Sequence, residues 1–310
     1  MRFAVDPWDP AYGGVAESSG TAETTATLNL ATEREPGSWT PIAVAKSLRQ
    51  PVLFVDGVRR VEARLWIEGE ADGIGLCASW AAGVVRCEAD AEVVAAEVER
   101  GVFAASPNIE PVDTAVGVFS ARVTPSSAAE VLSLALQERL TRLEVEVAEH
   151  ARQGSDALLV VDGPLRGRQH LAHAVGMIKT QHVRYLPETL DPILERLAPG
   201  QRTPVFTIGT SWSRHSWYVR LPGSPSARAG IVRCECSADL SSSEAVAMAS
   251  ATAALLPRFA SAPHKDPRAP QNLTPIAGLE RRLRHLLGDA LLVRRALQRA
   301  AALTTAVTAV

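Results

Sequence analysis

The sequence predicts an α/β domain built on a mixed sheet flanked by helices, with an elaborated C-terminal half. Three observations carry this. Strand-type runs separated by short Gly, Glu or Asp turns begin at Pro51. A long amphipathic helix opens at Pro125-Ser126-Ser127 and runs to about Gln153. Directly after it, DALLVVDGPL is a short, wholly apolar run of the kind found in a strand covered on both faces.

The elements follow in order. Residues 10–47 are rich in Gly, Ser, Thr, Glu and Pro and read as a loosely packed arm, with one strand-like alternation in TATLNLAT. The main domain occupies 49–310. LFVDGVRR, VEARLWIE and GIGLCASWAAGVVRCEA read as three short strands of an antiparallel meander. Leu132, Leu136, Leu140, Leu143 and Val147 then recur at helical spacing up to the stop at Gly154. A helix is expected from about Gln169 and another over PETLDPILERL. Strands follow at TPVFTIG, SWYVRLP and AGIVRCECS, then a helix from Ser242 to about Leu256 and an Arg-laden last helix. Meander, long helix, then a central strand ending in Asp is the element order of ribonuclease-H-like folds.

Composition bounds the function. The 310 residues are 46% hydrophobic and 21% charged, which excludes disorder across the whole chain. Lys and Arg number 32 against 34 Asp and Glu, so overall charge does not announce nucleic-acid binding and any positive surface is local. The only lysines are Lys46, Lys179 and Lys265. Cys77, Cys87, Cys234 and Cys236 are too few for a disulfide scaffold; Cys234 and Cys236 alternate on one strand face, as buried hydrophobes or, less simply, as half a metal site. MRFAVDPWDP lacks the basic-then-apolar layout of a signal peptide and no apolar run reaches the roughly 18 residues of a membrane span, so a soluble cytoplasmic protein is expected.

Two Asp-Gly pairs end strongly hydrophobic runs: Asp56 in LFVDGVRR and Asp162 in LLVVDGPLRG. On neighbouring strands both carboxylates would emerge at one sheet edge, where open α/β sheets place ligands. Hard divalent cations take carboxylate oxygens, and two such ions can clamp a phosphodiester. Asp-Gly also simply makes turns. Glu144 and Glu146 lie on opposite borders of the apolar helix stripe, and periodicity does not choose between them as a third carboxylate. Arg59 and Arg60 follow the first aspartate, and Arg166 and Arg168 the second. Arg281, Arg282, Arg284, Arg294, Arg295 and Arg299 load the last helix, as a phosphate contact or a solvated face. Trp212, Trp217 and Tyr218 are candidates for stacking on unpaired bases or for the core.

Taken in order, FVDGVRR, RLEVEVA, LLVVDGPL, GMIKTQ, SWYVRL and HKDPRAPQNLTPIAGLERRLR resemble the NurA nuclease family from about Pro51 to about Arg299. The resemblance implies a ribonuclease-H-like DNA nuclease with two Mn²⁺ or Mg²⁺ ions. It further implies 5′–3′ exonuclease and single-strand endonuclease activity at DNA ends in repair, and a homodimer working with a hexameric HerA-type ATPase. Asp56, Asp162 and the helix glutamate, Glu144 or less closely Glu146, then match the catalytic metal ligands, and Lys179 falls in the family's glycine-to-lysine stretch as a phosphate contact. Arg59, Arg60, Arg166, Arg168, Lys265 and Arg281 are the expected DNA contacts. The C-terminal motif departs from the family: Asn272-Leu273 stands where Tyr-Pro is usual and Glu280 where a histidine is, with His264 and Lys265 just upstream. Glu280 suits Mg²⁺ or Mn²⁺ as a substitute ligand. The rival expectations are a non-catalytic DNA-end or ATPase-docking subunit of the same fold, and a ribonuclease-H-like enzyme for RNA or junctions.

Overall fold

Past Asp56-Gly57 the chain stays extended, and buried Ala63, Leu65 and Ile67 alternate with exposed Arg64 and Trp66. The computed structural model describes residues 3–5, 22–23, 25–45, 50–67, 73–180, 183–223, 230–266 and 268–307. The strands are β1 (Phe3–Val5), β2 (Ala22–Glu23), β3 (Thr27–Asn29), β4 (Val52–Ile67), β5 (Ile74–Cys87), β6 (Ala91–Ala104), β7 (Val112–Thr114) and β8 (Gly117–Val123). Helix α1 (Ala129–Arg152) precedes β9 (Leu158–Asp162), β10 (Ala174–Ile178), β11 (Val183–Arg184) and the short α2 (Ile193–Arg196). The rest comprises β12 (Phe206–Gly209), β13 (Ser213–Arg220), β14 (Ile231–Ser237), α3 (Ser242–Leu255), α4 (Thr274–Leu286) and α5 (Ala290–Val307).

The result is α/β, with a twelve-stranded mixed sheet in the order β3-β12-β13-β14-β10-β9-β4-β5-β6-β8-β7, and β1 added along β4. β4, β5 and β6 form the antiparallel meander, and β9 and β10 lie parallel to β4 on its other side. The meander strands are long rather than short. The two runs expected as separate strands are one strand, β4, which absorbs its irregularity in a register shift between Val61 and Ala63 instead of turning. The third meander strand is β6, whose buried Gly101-Val102-Phe103-Ala104 end outweighs its exposed acidic start.

Helices cover both faces. α1 buries Leu136, Leu140, Leu143 and Val147 against Leu53, Val55 and Val161. On the other face α3 and α4 place Met248, Ala249, Ile276, Leu279 and Leu283 over Phe54, Val160 and Met177. α3 starts where a capping box forms between Ser241 and Glu244. Cys234 and Cys236 are buried in this second core, and burial pushes both thiols up.

Other expectations are corrected. The helix expected from about Gln169 does not form: Gln169–His173 are turns and a bend, His173 has φ +50°, and β10 begins at once at Ala174. PETLDPILERL yields only α2, since Pro192 admits one turn after a run of turns. The Arg-laden segment is two helices, parted at Gly288 with φ +81°. Residues 25–45 are packed rather than loose: β3 adds to the sheet edge, Trp39 is buried, and Glu33 pairs with buried Arg202 at 2.7 Å. The remainder of the expected arm, residues 6–21, 24 and 46–49, with Lys46, lies outside the described residues, as do Gln181 and Pro267. Among the described residues, no helix is long and apolar enough to cross a membrane.

Candidate metal centre

Side chains alternate across a strand, so Phe54 and Asp56 share one face of β4 while Val55 and Gly57 share the other. The parallel ladder with β9 runs from Val52↔Leu158 to Val55↔Val161, and the next residues on the two strands are Asp56 and Asp162. Both aspartates face the α4 side. In the antiparallel ladder Asp56 stands opposite Gly83, where a Cβ would meet Leu279 Cδ1 and Leu283 Cδ2 of α4 at 3.1 Å. The missing side chain lets α4 sit close to the sheet, and this brings Glu280 over the strand ends. Ligand atoms of Asp56, Asp162 and Glu280 all lie within 4.8 Å of one another.

The three carboxylates are unequally compensated. Asp56 is 7% exposed; its Oδ1 accepts from the Gly57 N–H at 2.8 Å, while its Oδ2 is buried with no hydrogen-bond partner among the described residues. Asp162 pairs with Lys179 Nζ at 2.5 Å. Glu280 accepts from Arg268 at 2.8 Å and lies 3.4 Å from Arg284. Burial first, and then the Asp162 charge, hold the Asp56 carboxyl well above the usual carboxylate range; Lys179 opposes this and Glu280 adds to it. Asp162 is also raised, chiefly by burial, against the opposing pull of Lys179. An orphan buried carboxylate oxygen beside two further carboxylates is the donor set that a hard divalent cation relieves, so the residues present fit Mg²⁺ or Mn²⁺.

Lys179 and Arg268 are held by a loop whose role the sequence reading missed. Lys179 Nζ also donates to Asn272 Oδ1 at 2.6 Å, and Asn272 Nδ2 donates to Asp266 Oδ2 at 2.6 Å. Asp266 further accepts from the Arg268 N–H at 2.7 Å. Asp266 is therefore a common anchor for the residues that hold Lys179 and Glu280. Its nearest sequence signal was the charged, Pro-punctuated HKDPR segment.

Glu144 is not in this group. Gly57 opens the opposite face, where a Cβ would meet Leu140 Cδ1 at 2.6 Å and Glu144 Oε1 at 2.7 Å, so α1 packs directly on the backbone beside Asp56. There Glu144 is buried and bonded to Arg168, which also donates to Pro164 O at 2.9 Å. Burial lowers the Arg168 pKa to about 10, with the charge of Asp56 opposing. Glu146 is exposed and pairs with Arg142 at 2.8 Å. The helix glutamate facing the sheet is thus Glu144, already matched by a cation.

The expected DNA contacts divide. Arg59 and Arg166 are exposed and line a cleft of about 1290 Å³ along α1, which Asp56 and Asp162 border but Glu280 and Lys179 do not. Arg168 lines it too but is buried and engaged with Glu144. Arg60 pairs with buried Glu62 at 2.9 Å and donates to Gly288 O and Leu287 O, closing the end of α4 rather than facing a ligand. Lys265 and Arg281 are exposed and do not line this cleft. Trp217 and Tyr218 are core residues, whereas Trp212 lines the cleft. A second carboxylate went unread in IVRCECS: Glu235, fully buried, accepts from Arg233 at 2.6 Å and from the Leu165 N–H at 2.8 Å, with Arg214 at 3.2 Å. Its signal was the Arg233-x-Glu235 alternation on the face opposite the cysteines. No protein-family model matches the chain, and no curated protein sequence matches it either.

Proposed function

We propose that this chain is a divalent-metal-dependent DNA nuclease of ribonuclease-H-like fold, similar to the NurA family. One observation carries the reading: Asp56 and Asp162, from adjacent parallel strands, converge with Glu280 while a buried Asp56 oxygen has no hydrogen-bond partner among the described residues. The strand order β6-β5-β4-β9-β10, an antiparallel meander continued by two parallel strands, supports the ribonuclease-H-like assignment.

Asp56, Asp162 and Glu280 would hold Mn²⁺ or Mg²⁺, two ions in the family resemblance. When bound, the cation supplies Lewis acidity at a phosphodiester and a more acidic water. The chain's own groups do the rest. Asp56 Oδ2 offers an uncommitted lone pair, Asp162 holds Lys179 beside the carboxylates as a phosphate contact, and Arg59 and Arg166 give the flanking phosphates cationic partners in the cleft. Glu144 keeps Arg168 in place beneath Gly57 and so shapes the backbone that presents Asp56. Action on DNA ends with 5′–3′ polarity, homodimerisation and a HerA-type ATPase partner belong to the reading through the resemblance alone, and a cytoplasmic setting through the composition of the sequence.

A non-catalytic reading has one observation of its own: Lys179 and Arg268 already pair with Asp162 and Glu280. Cleavage of end-labelled linear DNA with Mn²⁺ separates the two. The nuclease reading expects cleavage by the wild type that Asp56→Ala and Asp162→Ala abolish. Absence of Mn²⁺-dependent cleavage, or its persistence in both variants, defeats it.

A further inference from the structure

The loop between β12 and β13 carries Trp212, half-buried, in the wall of the cleft along α1 that Asp56 and Asp162 border. Its ring is backed by the Arg214 guanidinium, 4.9 Å from the ring centroid. Arg214 is itself fixed. It lies 3.2 Å from the buried Glu235 carboxylate, donates to Tyr185 Oη at 3.0 Å, and donates to Thr210 Oγ1 at 3.2 Å. Glu235 in turn holds the Leu165 N–H, which ties the opposite wall of the cleft, the loop after Asp162, to the same buried centre.

A cation locked behind an indole fixes the ring's orientation; the ring packs in part against the apolar cluster beneath α1, and it borders the cleft. By contrast, Trp217 and Tyr218 are both buried, and Trp217 Nε1 donates to Thr252 Oγ1 at 3.0 Å. Arg59 and Arg166, exposed in the same cleft, supply the cationic partners that a phosphate chain requires. Bases in a duplex are stacked on both faces, so an aromatic platform of this kind takes an unpaired base, with little dependence on which base it is.

We propose that Trp212 is a stacking platform for one unpaired nucleobase of a single-stranded nucleic acid whose phosphates pass Arg59 and Arg166. That the bound strand leads to Asp56 and Asp162 for cleavage rests on the nuclease reading; the stacking site itself does not.

The test is fluorescence anisotropy of the full chain in EDTA with labelled oligothymidylate, oligouridylate and a blunt duplex of the same length. Trp212→Ala should weaken at least one of the single strands by about tenfold or more, in line with the loss of one base–aromatic stack. Trp212→Phe should restore most of it, and duplex binding should change by less than about twofold. A further arm with oligodeoxyuridylate, compared with oligouridylate, identifies the sugar. Single-strand affinities unchanged in Trp212→Ala, an equal loss on the duplex, no rescue by Trp212→Phe, or no binding by the wild type would each overturn the site. Cleavage that survives alongside an unaffected Trp212→Ala complex sinks only the platform. A Trp212-dependent complex without any Mn²⁺-dependent cleavage sinks the nuclease reading and leaves the platform.

Discussion

Two buried acidic centres lie on neighbouring parts of one sheet and are built on opposite principles. Around Glu235, one carboxylate meets two guanidinium groups and a backbone N–H, and every element it touches is thereby tied together. Around Asp56, three carboxylates share Lys179, Arg268 and the more distant Arg284, and one buried oxygen has no hydrogen-bond partner among the described residues. Burial is common to both. Compensation is what separates them: the paired carboxylate ties elements together, and the undercompensated one is the candidate for binding a ligand.

The largest test of that contrast is Glu235→Ala. It strands Arg214 and Arg233 in the core and should destabilise the chain by about 3–5 kcal/mol in denaturant unfolding. A loss no larger than that of an exposed pair would erase the distinction. Asp56→Asn should act with the opposite sign: it removes a like charge and its burial penalty, and should stabilise the metal-free chain at neutral pH while abolishing cleavage.

The pH dependence follows from the same contrast. Asp56 and Asp162 have raised pKa values in the fold, so the folded chain retains protons that the unfolded chain has lost. Their contribution is therefore complete below the ordinary aspartate value of 3.8 and is lost as pH climbs from there through the raised folded values. Stability measured without metal should fall over that range, and Asp56→Asn should flatten the slope.

Asp266→Ala should leave the three carboxylates in place but release Asn272 and Arg268, weakening Mn²⁺ binding by about tenfold in titration calorimetry. Glu146→Ala, which removes only an exposed helix pair, should leave melting temperature and cleavage unchanged.

The sequence made Asp56 and Asp162 legible because each follows a run of apolar residues that can only be a buried strand. It concealed that Asp56 lies within a long strand: Asp-Gly has turn chemistry, and only the ladder to β5, with Gly83 opposite, keeps the backbone extended. Glu144 and Glu146 were indistinguishable by periodicity, since their difference depends on Arg168 arriving from a turn after β9. Glu280 was reachable only through the register of a family motif, because its place over the strand ends depends on how closely α4 packs. Asp266 and Glu235 escaped notice since each acts through partners distant in sequence, Lys179 by way of Asn272 and Leu165 respectively. Packing of residues 25–45 was likewise invisible in a polar composition, as it hangs on Trp39 and on Glu33 meeting a buried arginine.

The central claim is that Asp56, Asp162 and Glu280 form a metal centre. Calorimetric titration of Mn²⁺ into the wild type and into Asp56→Asn tests it most directly. Saturable binding that Asp56→Asn weakens by at least about tenfold is the expected result. Binding absent from the wild type, or identical in the two proteins, would contradict it.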